Sequence, residues 1–281
     1  MKRRVFCLVA LTSIFSLAAE ASVQFLPQDV ADAPKWEEFL KTANIIDEKQ
    51  LSGEGAVTNP WKLTLEKDGV KRFALWKNAQ GLLHGYLEGW DNEIAAYRMD
   101  KFFGLNMVSP TIERRFREDR GSLQLWIDDT ITYETYLQAK AKGKMKMPSY
   151  KVFPFERAVY LMRAFDNLIA NEDRHANNFL LTKDWRIILI DHSRSFRTSK
   201  KFTEALIYTE KNPEGPKLML ELPRAFVEKL KGLTFESIRG ALGEYLSNDQ
   251  INAMLKRRDL MLKEIDRLVK LNGEENTIYE K

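Results

Sequence analysis

Cysteine is nearly missing from this 281-residue chain: Cys7 is the only one, and it lies in the first ten residues. The rest of the chain therefore holds no disulfide, and it is long enough to bury one large core or two modest ones without such a staple. Histidine is scarce too, at three residues. Beyond the N-terminal segment no apolar run is long enough to span a bilayer, so no transmembrane helix is expected there. Charge of one sign is also lacking: 44 Lys and Arg against 40 Asp and Glu leave a formal net charge of +4, part of it at the N-terminus. That balance lends no support to nucleic-acid binding. A content of 44% hydrophobic and 30% charged residues is that of a globular chain.

What is present begins with Lys2, Arg3 and Arg4, an apolar run over 5–18, and Ala19-Glu20-Ala21. A basic start, an apolar stretch too short for a membrane span and a small-x-small end predict a signal peptide over residues 1–21. Export to the periplasm or outside the cell, as a monomer, is the expectation. An uncleaved N-terminal anchor is the alternative; a lipoprotein is disfavoured because Cys7 sits early in the run.

The pattern predicts a helix over 34–42, opened by Pro34. Three strands follow across 45–77, with a Gly53-Glu54-Gly55 turn and a "KDG" hairpin turn. Asp91 or Asn92 can cap a helix that Gly104 ends, and a hairpin of 111–116 and 122–127 is joined by "REDRG". The basic "AKAKGKMKMPS" reads as a solvated linker, 155–170 as a buried helix, and 222–271 as helical. The layout is a β-rich half over 22–127 and a mainly helical half over 128–281.

One stretch gathers chemistry: "NEDRHANNFLLTKDWRIILIDHSRSF", 171–196. Two short apolar strands flank a Lys183-Asp184 turn, so Asn178 before the first and Asp191 after the second come side by side. A neutral and a charged oxygen suit a hard divalent cation, Mg²⁺ or Mn²⁺, that also holds phosphates. Asp173, upstream on the same loop, can orient or deprotonate a hydroxyl. Each also has a bland reading. Asp173 and Asn178 can be ordinary turn residues, Asp191 can end a buried strand, and His175 and His192 can be structural.

A loop Asp, an Asn five residues later and a metal-binding Asp beyond a hairpin resemble the protein-kinase-like superfamily. The Asp173-Arg174-His175 order is similar to the phosphatidylinositol 3-/4-kinase-like branch and the atypical secretory kinases related to it. The resemblance implies a two-lobe α+β fold: a β-rich N-lobe with one αC-type helix, and a mainly helical C-lobe. It implies ATP or a related nucleotide as cofactor. Lys77, sixteen residues before Glu93, would clamp the phosphates with Glu93 positioning it. Trp126, Ile127 and Asp128 would hold adenine, and Gly53 and Gly55 would approach phosphate. Asp173 and His175 would be catalytic, and Asn178 and Asp191 the metal ligands. Taken alone, Lys77 and Glu93 are a strand-end Lys and a first-turn Glu favoured by the helix dipole.

The implied reaction moves a phosphoryl group to an unidentified hydroxyl on a lipid, small molecule or protein. An exported nucleotide-binding pseudokinase and nucleotidyl transfer on the same fold stay open. A metal-dependent hydrolase built on Asp173, His175, Asp191 and His192 is more remote, since it has no use for the Lys77–Glu93 pair. The basic 194–201 segment is either a solvated loop or a site for an acidic or phosphorylated substrate.

Overall fold

Pro34 lies inside the first helix: in the computed structural model, α1 runs Pro27–Thr42 and buries Phe39 and Leu40. The structure describes residues 27–52, 58–211 and 219–280, with side chains from Val30. The proposed signal peptide and the Gly53 and Gly55 turn lie outside them. In chain order there follow β1 (Asn44–Gln50), β2 (Trp61–Lys67), β3 (Val70–Lys77), β4 (Gln80–Leu83), β5 (Tyr86–Gly89), α2 (Trp90–Phe103), β6 (Thr111–Phe116) and β7 (Asp119–Leu125). Strands β1, β2, β3, β7 and β6 form one antiparallel sheet in that order.

Local chemistry explains the register. The "KDG" turn puts Asp68 and Gly69 at φ 52° and 75°, the left-handed pair that matches strand twist. The β6–β7 turn does the same with Arg117 and Glu118 (φ 50° and 71°), so β7 starts at Asp119, earlier than glycine placement predicts. Gly121 has a different task. A Cβ there would sit 2.4 Å from the Lys77 carbonyl oxygen, so only glycine lets β7 lie against the end of β3. The helix α2 starts at Trp90 rather than after an Asp91 or Asn92 cap. Its N-cap is Gly89, with no side-chain cap, while Gly104 closes it at φ 72° as expected.

Past Leu125 come β8 (Thr130–Thr132), α3 (Tyr133–Ala141), α4 (Ser149–Ile169), β9 (Phe179–Thr182), β10 (Ile187–Leu189), α5 (Lys200–Thr203), β11 (Leu222–Pro223), α6 (Arg224–Lys231), α7 (Phe235–Leu242), α8 (Asn248–Asn272) and β12 (Ile278–Tyr279). The basic linker is thus shorter than its composition predicts, because α3 and α4 close in from both sides. Strand β8 adds to the β9–β10 hairpin as a three-stranded sheet. Among the described residues no helix is long and apolar enough to cross a membrane.

Among the described residues two hydrophobic cores result. The smaller joins α1 to the outer face of the five-stranded sheet, through Leu63, Leu65, Trp76, Phe116 and Leu123. The larger collects α4, β9, β10 and α6 to α8, and it also takes Ala95, Met99 and Phe103 from α2.

Candidate active site

The loop between α4 and β9 is riveted from below. Asp166, in the last turn of α4, and Arg174 have buried side chains that pair through Nε–Oδ2 at 2.9 Å and Nη2–Oδ1 at 3.1 Å. Arg174 also donates to the carbonyls of Asn178 and, at 2.7 Å, Ile190. A buried ion pair survives only when such bonds satisfy its remaining donors. Here they tie the helix end to both ends of the β9–β10 hairpin. Ile190 N–H donates to Asn178 O at 3.2 Å, so the hairpin brings Asn178 and Asp191 to adjacent positions.

The orientation of Asn178 follows. Its Nδ2 donates to Asp173 O at 2.7 Å and reaches Asp173 Oδ2 at 3.4 Å. With the nitrogen end so committed, the amide oxygen is the end left for a cation. Asp191 sits at φ 60° with its carboxylate partly open to solvent. Its Oδ1 accepts from Lys77 Nζ and from Ser193 Oγ, each at 3.0 Å. Among the described residues no group of three or more His, Cys, Asp or Glu is placed to hold a metal alone. One carboxylate and one amide oxygen fit a magnesium-type ion completed by nucleotide phosphates and water.

Lys77 is the centre of the charge arrangement. Its Nζ lies 2.7 Å from Glu93 Oε1 as well as 3.0 Å from Asp191 Oδ1. Burial works to lower its pKa, but Asp191 and Glu93 outweigh it and the net shift is upward, so the ammonium stays charged. Burial likewise opposes ionisation of Glu93, yet Lys77 and the His192 contacts hold its carboxyl well below the usual range. The backbone N–H of His192 donates to Glu93 Oε2 at 3.0 Å. The His192 ring is fully buried, and burial keeps it neutral by lowering its pKa. It is a packing residue. Lys71 and Arg72, the rivals of Lys77, are exposed.

Asp173 is half-buried, and burial, with a smaller push from Asp191, raises its pKa against the pull of Arg194. His175 is exposed on the same loop and its Nδ1 accepts from Asn177 N–H at 3.2 Å, leaving Nε2 to carry the neutral ring's proton. The Trp126–Asp128 stretch bridges β7 and β8. Trp126 N–H donates to Phe73 O at 3.0 Å, and Ile127 O accepts one bond from Thr130 Oγ1 at 3.2 Å with a second lone pair left over. The Lys62 ammonium covers the Phe73 and Trp126 rings, 3.9 and 4.4 Å from their centroids.

Sequence reasoning passed over several residues. Asp166 and Arg174 carried a signal, an acid in the apolar last turns of a helix and the Arg of Asp-Arg-His. The β4–β5 hairpin carried almost none, though His84 (φ 49°) and Gly85 turn it. Nor is the 194–201 segment simply solvated: Arg194 pairs with Glu88 at 2.6 Å and Arg197 with Glu172 at 3.0 Å.

An antiparallel sheet with one inner helix, a short bridge and a helical half carrying this loop define the protein-kinase-like α+β fold. Among solved structures, the chain is similar to hydra Fam20, determined with sugar. The TM-score is 0.61 at 15% identity, covering 89% of this chain and 93% of that one. A likeness at that identity is one of fold. No protein-family model matches the chain, and no curated protein matches it.

Proposed function

We propose that the protein is a phosphotransferase, moving the γ-phosphoryl group of ATP to a hydroxyl acceptor with Mg²⁺ or Mn²⁺. The observation that carries this reading is the Lys77 ammonium held between Glu93 and Asp191, at 2.7 and 3.0 Å. A hydrolase has no need of a buried lysine joining the sheet to the metal-side carboxylate. A phosphate clamp has that need.

In this reading Lys77 binds the α- and β-phosphates, and Asn178 and Asp191 hold the cation. The cation, when bound, offsets charge on the phosphates. The acceptor oxygen bonds to the γ-phosphorus as the bond to the β,γ-bridging oxygen breaks. ADP leaves with that electron pair, and the hydroxyl proton passes to Asp173. His175, exposed on the same loop, would donate from Nε2 toward the moving group. Such catalysis is mostly positioning and electrostatics. The Asp173-Arg174-His175 order favours the lipid-kinase-like and secretory-kinase branches. The sugar bound to hydra Fam20 makes a sugar hydroxyl the first acceptor to test. Residues 1–21 read as a signal peptide, which supports an exported setting, and an ATP-supplied secretory compartment or a recipient cell is then the expected site.

The test is calorimetry of MgATP and MnATP binding, followed by tracing labelled phosphate. Asp191→Ala is expected to abolish metal-dependent nucleotide binding with the fold intact by circular dichroism. Unchanged affinity would sink the assignment. Transfer of γ-label supports phosphoryl transfer, α-label transfer supports nucleotidylation, and binding without transfer supports a pseudokinase.

A further inference from the structure

The β4–β5 hairpin interrupts the path from the Lys77 strand to the Glu93 helix, and its inner side is spent on one arginine. Arg194, three residues after Asp191, places Nε 2.6 Å from Glu88 Oε1 of β5. Its guanidinium lies 4.1 Å over the Tyr86 ring of the same strand. The Glu88 side chain is 1% exposed and that of Arg194 14%, so this is a short charge-assisted contact in a nearly dry setting. The backbone on both sides of Arg194 is held by the same region. Gly89 N–H donates to Ser193 O at 3.0 Å, and Asn92 Nδ2 donates to Ser193 O at 2.9 Å and Ser195 O at 3.3 Å. Arg197 Nη1 closes the far side, donating to Leu87 O at 2.8 Å.

So seated, Arg194 aims its remaining end at the loop. Its Nη1 lies 3.3 Å from Asp173 Oδ1, while Asn178 Nδ2 lies 3.4 Å from Asp173 Oδ2. Each carboxylate oxygen thus has its own cation or amide donor, on opposite sides. We propose that Arg194 is the positioning residue for Asp173, and that the β4–β5 hairpin is the cradle that seats it. This rests on the transfer reaction proposed above. A lysine could pair with Glu88, but only a planar fork reaches two carboxylates in fixed directions at once. The separations to Asp173 are long, as expected before an acceptor is bound and the contacts tighten. The arrangement also ties acceptor-side geometry to the segment following the metal ligand, without a modified residue in that segment.

The test uses the full chain as Arg194→Ala, Arg194→Lys and Glu88→Gln, with MgATP and with water as the acceptor. Arg194→Ala is expected to lower kcat for γ-phosphate release by roughly a hundredfold, the scale of a misplaced general base. The calorimetric Kd for MgATP should stay within about threefold, because Arg194 faces the acceptor side rather than Lys77. Arg194→Lys should recover part of the loss, and Glu88→Gln should fall between wild type and Arg194→Ala. Hydrogen exchange of residues 172–178 should rise in Arg194→Ala. An unchanged kcat would overturn the proposal. So would a fall in kcat and Tm together with a rise in Kd and no recovery by lysine, which marks a merely structural arginine. Should wild type bind MgATP without turnover, the transfer reading fails. Exchange then decides this inference: faster exchange at 172–178 supports it, and unchanged exchange overturns it.

Discussion

The two cores differ in what they own. Among the described residues the smaller holds the sheet and α1, whereas the larger holds α4, to which Arg174 ties the Asp173 loop, the hairpin between Asn178 and Asp191, and five buried residues of α2. Helix α2 is flanked in sequence by sheet strands, yet Ala95, Met99 and Phe103 pack with the helical half. The α2–β6 connection follows it there, with Leu189 N–H donating to Met107 O at 2.7 Å. Glu93 and Asp191 are therefore set relative to each other by one packed body, and Lys77 arrives from the other. The two ion pairs of Lys77 are stitches between cores. Seating the sheet and forming the two Lys77 ion pairs are one event.

The comparison can be broken most forcefully from its larger side. Phe165→Ala, at a fully buried position of α4, should cost about 3–5 kcal/mol in urea denaturation and expose amides of both halves to exchange. Leu63→Ala in the smaller core should instead confine faster exchange to the five-stranded sheet, leaving α4 and α8 protected. Equal loss in both halves would refute the division. Next, Arg174→Met leaves Asp166 buried and unpaired, at a cost of about 4 kcal/mol, and should disorder the loop while the sheet stays protected. Lys77→Met removes both stitches. About 3 kcal/mol is expected, the low end for a buried pair because the open side of the site lets water approach, with MgATP affinity reduced at least ~10-fold.

The smallest effect concerns α1, which docks on α2 through Glu37. Its Oε1 accepts from Tyr97 Oη at 2.6 Å and Lys101 Nζ at 2.7 Å. Burial tends to raise the Glu37 pKa, but these two bonds bring it below its ordinary 4.5. A lowered carboxyl pKa contributes stability above about pH 4.5 and loses it as pH falls through the folded value. Glu37→Gln should thus lower the unfolding free energy only slightly at pH 7, by about 0.5 kcal/mol after allowing for solvent screening, and by less at pH 4. A difference that grows at low pH would contradict this.

Legibility followed locality. Alternating apolar residues and a short turn made the β9–β10 hairpin readable, and with it the approach of Asn178 to Asp191. The contact of Lys77 with Glu93 needed the family spacing, since nothing local draws a strand-end lysine to a helix. What escaped notice depends on long-range packing. The β4–β5 hairpin is short and exposes Leu82, Tyr86 and Leu87, so its pattern is not amphipathic. Strand β8 has three residues and exists because β9 is there to pair with it. The start of β7 eluded a rule that looks for glycine in turns, because Arg117 and Glu118 take the left-handed shape themselves.

Asp191 carries a second requirement besides charge. At φ 60° it occupies backbone space that asparagine, aspartate and glycine enter readily and alanine enters at roughly 1–2 kcal/mol. Site-directed loss of function at 191 therefore mixes two signals, and an Asp191→Asn control separates them by keeping the shape while discarding the charge. The same overlap bears on how such proteins diversify. A lineage that abandoned chemistry would still be held to a narrow alphabet at this position by geometry alone. An aspartate here reports the bend of the chain as much as the use made of it.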